Sequence, residues 1–455
     1  MVEQAAAIVE RRLGSEELLD LFVRRIADVD PRVHAVCTLD VDRARALCRA
    51  ADAATARGES WGVLHGLPFT IKDAIATEGI RSTGGAVALR DHVPTADAAA
   101  VAALKAAGAV VFGKTNLPEW SGDWQSYNEM FGTTCNPWDL TRTSGGSSGG
   151  AAAAVACGMT SAELGTDIGG SVRVPSAFCG VFGHKPSFGV IPTLGYLDHP
   201  DGGATESDVN TFGPIARDPR DLAVLLDVLT AGQQSAAEGW QLHLPAPALP
   251  SSGLRGVRIG VWLDEPALPC DRAMAEVLHL AVDRLEREGA VVDRAARPAV
   301  DADEFWKLGA RLIGAAVSVS DDEDRGPSHR DWLFMHRRRQ VLRDAWAALF
   351  DRVDVVLCPV TVLPAFEHLH DGYWATRTID VNGTEQRYTL LEGWPAIVGA
   401  AYLPSTSVPV GRTAGGLPVG MQVVGPRFHD RRTIEVARRV AEVVGGYEPP
   451  PLVTN

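Results

Sequence analysis

The sequence predicts an α/β fold, because amphipathic helical segments alternate with short apolar segments of strand length along the chain. Residues 97–107 have an amphipathic helical pattern that leads directly into the apolar stretch 109–112. Residues 257–261 have the pattern of a buried strand and precede a second amphipathic helix at 272–288. Helices and strands in this order are typical of a β-sheet that is covered by helices.

The N-terminal region predicts two helices and a buried strand. Ser15 is placed as the N-cap of a helix with an apolar stripe, and an alanine-rich helix follows at 41–57. The strand at 69–71 ends in Lys72. The stripe of the first helix consists of Leu18, Leu19, Phe22, Val23 and Ile26.

The C-terminal region predicts a helical subregion and a closing strand pair. Residues 305–350 are rich in helical signal and in aromatic side chains, which either fill the core or shape an apolar substrate pocket. Asn382-Gly383 is a hairpin turn signal. Strands at 407–411 and 418–425 are expected to pair, and a last helix is expected at 431–444.

Composition excludes several classes of protein. The 455 residues carry a formal net charge of −14, and the short basic cluster 336–339 has the spacing of a solvated helix face, so we expect no nucleic-acid partner. The chain lacks both a signal-peptide pattern and any apolar run approaching about 18 residues, so we expect no membrane association. Seven dispersed cysteines without a CxxC pair favour reduced thiols, no metal site and a cytoplasmic location.

Residues 142–186 form the most unusual stretch of the chain. Two Gly/Ser turns, GGSSGG at 145–150 and DIGGS at 167–171, flank the alanine-rich segment AAAAVACGM at 151–159. A flexible linker is one explanation of this composition. The alanine-rich segment has the pattern of a buried helix, however, and backbone N–H groups in glycine-rich turns can converge closely on a ligand. We therefore interpret the stretch as part of a catalytic site.

Two familiar motifs in the chain are rejected. Residues 108–115 match the P-loop pattern GxxxxGK[ST], but a P-loop needs an open loop where 109–112 has the pattern of a strand. Residues 145–149 match GxSxG, a nucleophile elbow that must directly follow a strand. The preceding segment 139–144 does not have the pattern of a strand, and none of the later histidines stands out as a catalytic partner.

Lys72 and the serines of the two turns suggest a base and a nucleophile. A lysine that ends an apolar strand is costly to bury unless it is paired, for example with Asp73, or neutral. A lysine with a lowered pKa could accept a proton from a serine hydroxyl. The amides around Gly169 and Gly170, just before Ser171, could converge on an oxyanion. These residues alone leave open whether Lys72 is structural or catalytic.

Taken together, these segments resemble the amidase signature family, whose members include bacterial amidases, fatty acid amide hydrolase and the glutamine-hydrolysing subunit of the tRNA amidotransferase. The resemblance covers residues 18–444. Ser144 and Ala151 depart from the residues common in the family, where proline and serine are frequent. The matching segments are GLPFTIKD at 66–73, GKTN at 113–116, FGTTCNPWD at 131–139, GGSSGG at 145–150, GTDIGGSVRVPSAFCG at 165–180 and GLPVGMQVVG at 416–425.

The resemblance implies a role for each residue of the site. Ser171 would be the acyl-forming nucleophile, Ser147 a bridging serine after a cis peptide bond, and Lys72 the base that acts through Ser147. The other implied residues are Ile168, Gly169 and Gly170 with the Ser171 amide in an oxyanion hole, Thr166 as a substrate-side neighbour, Ser121 through its backbone carbonyl, and Ser148 and Asp167 as supports for Ser147 and Lys72.

The resemblance further implies one domain over 1–455, with a mixed, twisted central sheet flanked by helices on both faces. The expected reaction is hydrolysis of a small linear amide, or of an aryl amide, ester or carbamate, by a monomer or homodimer without cofactors. Two alternatives stay open. The chain could be the ammonia-producing subunit of an amidotransferase, or a non-catalytic binding module, although intact Lys72, Ser147 and Ser171 argue against the latter.

Overall fold

The computed structural model describes residues 1–231, 239, 241–250, 253–318 and 326–454. Part of the predicted helical subregion, residues 319–325, therefore lies outside the described residues. The helices are α1 (Val2–Val9), α2 (Ser15–Val33), α3 (Val41–Ala56), α4 (Ala99–Ala106), α5 (Gly149–Ala156), α6 (Arg173–Cys179), α7 (Pro219–Thr230), α8 (Arg272–Arg287), α9 (Ala302–Val317), α10 (His329–Phe350), α11 (Gly393–Ala400), α12 (Asp430–Val444) and α13 (Pro451–Thr454).

The strands build one large sheet, one small sheet and three hairpins. They are β1 (Val36–Leu39), β2 (Pro68–Lys72), β3 (Val110–Thr115), β4 (Tyr127–Asn128), β5 (Gly132–Thr133), β6 (Cys135–Asn136), β7 (Asp139–Thr143), β8 (Glu163–Asp167), β9 (Phe182–Lys185), β10 (Thr211–Ala216), β11 (Arg258–Val261), β12 (Val291–Asp293), β13 (Val355–Pro359), β14 (Thr378–Val381), β15 (Thr384–Arg387), β16 (Ser405–Arg412) and β17 (Pro418–Val424).

The large sheet is mixed, as predicted. Its eight strands lie in the order β12-β11-β13-β17-β16-β9-β10-β8. Strand β11 runs parallel to β12 and β13, whereas the remaining neighbours are antiparallel. The predicted closing pair is β16 and β17, which join in antiparallel register at the centre of this sheet. A smaller sheet of order β1-β3-β2 carries Lys72 at the end of β2.

Helices cover both faces of the large sheet, and the burial of β13 shows why. Val355 and Leu357 belong to one apolar cluster, whereas Val356 and Cys358 belong to another. Because successive side chains of a strand point to opposite faces, both faces of β13 are buried. The first cluster contains apolar residues of α7, α8 and α12, and the second contains those of α6, α9, α10 and α11. This arrangement confirms the predicted α/β class.

Several local predictions are confirmed and others are wrong. Helix α2 buries most of its predicted stripe, and Asn382-Gly383 forms the turn between β14 and β15 with φ of 61° and 81°. Ser15 begins α2 rather than capping it, since Gly14 is the N-cap. The segment 139–143, expected to be irregular, is strand β7 of a hairpin with β6. Its partly exposed Asp/Thr/Arg sequence gives little apolar strand signal.

The basic cluster of α10 also differs from the prediction. Arg339 is fully buried, although the spacing predicted a solvated face. Its guanidinium pairs with Asp208, which lies three residues before β10, and also contacts the hydroxyl of Tyr402. Within the described ranges, no helix combines the length and the apolar character needed to cross a lipid bilayer.

Candidate active site

Lys72 lies at the centre of the candidate site. Its Nζ donates hydrogen bonds to Ser147 Oγ at 2.6 Å and to Thr166 Oγ1 at 2.7 Å, and the side chain is fully buried. Burial lowers the pKa of Lys72 well below its ordinary value, although the carboxylates of Asp167 and Glu163 partly oppose this shift. The lowered pKa favours the neutral amine, which is the form that can accept a proton.

The GGSSGG turn holds Ser147 against the lysine. The peptide bond between Gly146 and Ser147 is cis. A methyl group at Gly146 would lie 2.6 Å from the carbonyl oxygen of Asp123, so only glycine fits there. Ser126 Oγ donates to the carbonyl of Ser147 at 3.2 Å, which anchors the turn from outside.

Ser148 connects this turn to the DIGGS turn. Its hydroxyl lies 3.3 Å from both the backbone nitrogen and the carbonyl oxygen of Thr166, and its backbone N–H donates to the carbonyl of Ser171 at 3.1 Å. Helix α5 begins directly after Ser148 and is completely buried. The predicted buried helix therefore fixes the spacing of the two Gly/Ser turns, which makes a flexible linker untenable.

Asp167 shapes the DIGGS turn from within. Its carboxylate accepts hydrogen bonds from the N–H groups of Gly170 at 2.9 Å and Val172 at 3.1 Å, and from the Arg173 guanidinium at 2.8 Å and 3.0 Å. Burial alone would raise the pKa of Asp167, but the charge and hydrogen bonds of Arg173 outweigh it and lower the pKa to about 2. Asp167 thus supports the turn beside Ser171, and its expected role as a support for Ser147 and Lys72 stays a prediction.

Ser171 is the most accessible of the three predicted catalytic residues. It is 5% exposed, whereas Lys72 and Ser147 are fully buried. Gly170, just before it, has a φ of 105°, and a methyl group there would lie 2.8 Å from Pro395 Cγ. The N–H of Gly170 already donates to Asp167, so it is less available to an oxyanion than predicted. The oxyanion roles of Ile168, Gly169 and the Ser171 amide stay predictions.

Thr166 and Ser121 lie near a buried tyrosine. The hydroxyl of Thr166 is bound to Lys72, so its predicted position beside the substrate stays a prediction. Ser121 has a φ of 58°, and its hydroxyl is buried without a hydrogen-bond partner in the described part of the chain. The phenol of Tyr196 faces both side chains, and burial raises its pKa to about 12.

Three side chains from separate regions border Gly169, and the sequence did not indicate Glu392 among them. The indole N–H of Trp124 donates to the Gly169 carbonyl at 2.9 Å. A methyl group at Gly169 would lie 3.5 Å from both Ile313 Cδ1 of α9 and Glu392 Oε2, directly before α11. Burial raises the pKa of Glu392 to about 8. A lone acid in the apolar sequence LLEGWPAIV was the available signal for this residue.

The P-loop match has a structural explanation. Its lysine, Lys114, lies within β3 and donates to the carbonyl of Ile75 at 2.5 Å and to Thr77 Oγ1 at 2.8 Å. The strand continues through Thr115, beyond the apolar stretch 109–112 that predicted it. A lysine within a strand does not form a phosphate-binding loop.

Comparisons with known proteins identify the family of this chain. The Amidase family model matches residues 17–321 and 302–434. The chain is 31% identical to a glutamyl-tRNA(Gln) amidotransferase subunit of Anaeromyxobacter sp. (strain K), covering 99% of this chain and 97% of that one.

Solved structures show the same similarity. A bacterial aryl acylamidase of the amidase signature family has 26% identity and a TM-score of 0.84, with 96% of both chains covered. The corresponding glutamyl-tRNA(Gln) amidotransferase subunit of Thermotoga maritima has 27% identity and a TM-score of 0.80, with 99% of this chain and 97% of that chain covered. The chain belongs to the amidase signature family.

Proposed function

We propose that this protein hydrolyses the C–N bond of a linear amide through an acyl-enzyme on Ser171. The observation that carries the proposal is the 2.6 Å hydrogen bond from the buried, desolvated Lys72 to Ser147. A neutral lysine next to a serine hydroxyl can act as a general base without a histidine. The same contact gives the non-catalytic alternative little support, because a binding module would not need a desolvated lysine.

The proposed reaction proceeds in two steps. Lys72 accepts a proton from Ser147 as Ser147 accepts one from Ser171, and Ser171 Oγ then attacks the amide carbonyl carbon. When the tetrahedral intermediate collapses, the Lys72 ammonium returns its proton through Ser147 to the leaving nitrogen, and the amine or ammonia departs. Water then attacks the ester carbonyl carbon, and its proton passes through Ser147 to Lys72. When the bond between the acyl carbon and Ser171 Oγ breaks, the carboxylic acid leaves and the proton returns from Lys72 through Ser147 to Ser171 Oγ.

The relatives favour the amidotransferase alternative over a stand-alone amidohydrolase. The similar proteins with 31% and 33% identity are amidotransferase subunits, and their coverage extends over 94% or more of this chain. We therefore propose that the leaving group is ammonia, supplied to an acceptor on a partner protein. In this proposal the chain works in a complex with partner chains, rather than as the expected monomer or homodimer. The net charge of −14 indicates that a partner, rather than this chain, would hold any nucleic-acid acceptor.

Glu392 supports an amino-acid amide as substrate. Its buried carboxyl lies beside Gly169, and no cation among the described residues offsets the burial that raises its pKa. An ammonium group on the substrate would supply that charge and ionise the carboxyl. Ile313 and Trp124 also border Gly169. Because Ile313 belongs to the 305–350 region, this contact supports a single domain in which that region helps to shape the pocket. The dispersed cysteines, all with free thiols, support a cytoplasmic location.

Ammonia release from two amides tests the proposal. The purified chain is assayed with glutamine and with propionamide, which lacks an amino group. We expect Ser171→Ala to abolish release from both. Glu392→Gln is expected to raise the KM for glutamine by about ten- to a hundredfold, because a charge-assisted hydrogen bond is lost, and to leave propionamide unaffected.

Each outcome has a distinct meaning. Ammonia release by Ser171→Ala would contradict the acyl-enzyme. Equal effects of Glu392→Gln on both amides would contradict the amino-acid substrate but not the chemistry. Faster turnover of propionamide than of glutamine by the purified wild-type chain would favour the stand-alone amidohydrolase.

A further inference from the structure

A second buried acid, Glu163, stands on the strand that contacts the catalytic lysine. It is the first residue of β8, the strand that also carries Thr166, and it is 1% exposed. Its Oε2 accepts a hydrogen bond from the N–H of Leu164 at 3.1 Å. Its Oε1 is buried without a hydrogen-bond partner in the described part of the chain. None of the roles assigned above uses this carboxyl.

Two threonine hydroxyls join Glu163 to the surroundings of Lys72. Lys72 of β2 is in register with Thr115 of β3, and Thr70 lies two residues before it, so the three side chains point to the same face of the small sheet. The hydroxyls of Thr70 and Thr115 face the carboxyl of Glu163 and lower its pKa. Neither hydroxyl has another polar partner within the described residues, so the Glu163 carboxyl is the polar group that each of them faces. Acid, hydroxyls and lysine therefore form one buried polar cluster.

Of the two carboxylates that act on Lys72, Glu163 is the one whose charge changes near neutrality. Asp167 and Glu163 are the carboxylates that favour protonated Lys72. Asp167 is paired with Arg173, and the lowering of its pKa to about 2 keeps it ionised. Burial raises the pKa of Glu163 to about 7, opposed by Lys114 as well as by the two hydroxyls. Lys114 itself faces Asp73, Cys37 and Lys105 in addition to Glu163.

We propose that Glu163 is a positioning residue that sets the pH at which Lys72 becomes a base. The inference rests on the function proposed above, in which neutral Lys72 starts the reaction. Ionised Glu163 stabilises the protonated, inactive lysine, whereas protonated Glu163 does not. The two groups therefore titrate as a coupled pair, and the midpoint of the acid limb of the pH–rate profile reflects both of them.

Replacing Glu163 by glutamine removes a negative charge that favours the Lys72 ammonium, so the lysine loses its proton at lower pH. We therefore expect Glu163→Gln to move the midpoint of the acid limb of kcat/KM downward by about one pH unit, the size expected for loss of a nearby opposite charge. A purely structural role would reduce activity at every pH without moving the midpoint.

Asp430→Asn is the matched control for this measurement. Asp430 is also a fully buried carboxylate, but it binds His184 and Ser187 and is not among the groups that shift the pKa of Lys72. We expect its replacement to leave the midpoint in place. Thermal denaturation of each variant shows whether the fold is retained.

Thr70→Val provides a second variant in case Glu163→Gln does not fold. Valine has the shape of threonine but removes a hydroxyl that lowers the pKa of Glu163. The acid then stays protonated to higher pH, so we expect a shift in the same direction but smaller than that of Glu163→Gln. If the folded variants keep the wild-type midpoint and Ser171→Ala is inactive, the inference about Glu163 is overturned and the proposed function is not. Activity of Ser171→Ala would instead overturn the proposed function.

Discussion

Lys72 and Lys114 are two buried lysines on neighbouring strands with very different surroundings. They lie one position apart in the register of β2 and β3, and both are fully buried. Burial lowers the pKa of both, but the pKa of Lys114 falls only to about 8, because Asp73 favours its charged form. Lys114 bonds to the carbonyl of Ile75 and to the hydroxyl of Thr77, whereas Lys72 bonds to the hydroxyls of Ser147 and Thr166.

In the proposed mechanism, the bonding partners, rather than burial, distinguish a base from a structural lysine. A carbonyl oxygen can only accept a hydrogen bond, so Lys114 has no proton to receive from Ile75. The hydroxyl of Thr77 donates to that same carbonyl at 3.2 Å, so it does not link Lys114 to a nucleophile. A serine hydroxyl both donates and accepts, so Ser147 can pass a proton from Ser171 to Lys72. Lys114 instead holds the chain that follows β2 in place.

Replacing Lys72 is expected to have the largest effect. Lys72→Met keeps the length of the side chain but removes the base, so we expect kcat/KM for an amide to fall by about 100- to 10,000-fold at neutral pH. The remaining activity should rise with pH, because hydroxide can then take the proton. Steady-state kinetics across the pH range measures both effects.

Lys114→Met is the control for this experiment. If Lys114 is structural, the folded variant keeps the pH dependence of the wild type. A pH profile for Lys114→Met that matches that of Lys72→Met would remove the distinction between the two lysines.

Lys114→Met should instead reduce stability. The change leaves Asp73 buried without its nearby cation, which costs roughly 3 kcal/mol in the free energy of unfolding. Chemical denaturation measures this loss. Lys105→Met, which removes a partly exposed pair with Asp97, should cost less than about 1 kcal/mol. Equal losses in the two variants would contradict the structural role of Lys114.

The sequence predicted the elements with strong apolar patterns and, through the family resemblance, the residues of the site. The pattern around Lys72 alone left two explanations open, because its partner Ser147 lies 75 residues away. Only the fold places these side chains in contact. Strand β7 was missed for a related reason. Its composition is weakly apolar, and its pairing with β6 makes it a strand.

The errors and omissions concern contacts between distant parts of the chain. Helical spacing placed Arg339 on an exposed face, but Asp208, 131 residues away, supplies the charge that allows its burial. Trp124, Ile313 and Glu392 meet at Gly169 from three separate regions. No local pattern encodes such a convergence, since the packing of α9 and α11 around the site creates it.

Locating the covalent bond tests the proposed nucleophile without reference to any particular substrate. The protein is treated with a fluorophosphonate and digested, and the labelled peptide is sequenced by mass spectrometry. We expect the label on Ser171 in the wild type, no label in Ser171→Ala, and slower labelling in Lys72→Met that accelerates as pH rises. A label on Ser147 would contradict Ser171 as the nucleophile. So would fully active protein that stays unlabelled and that no serine-reactive reagent inhibits.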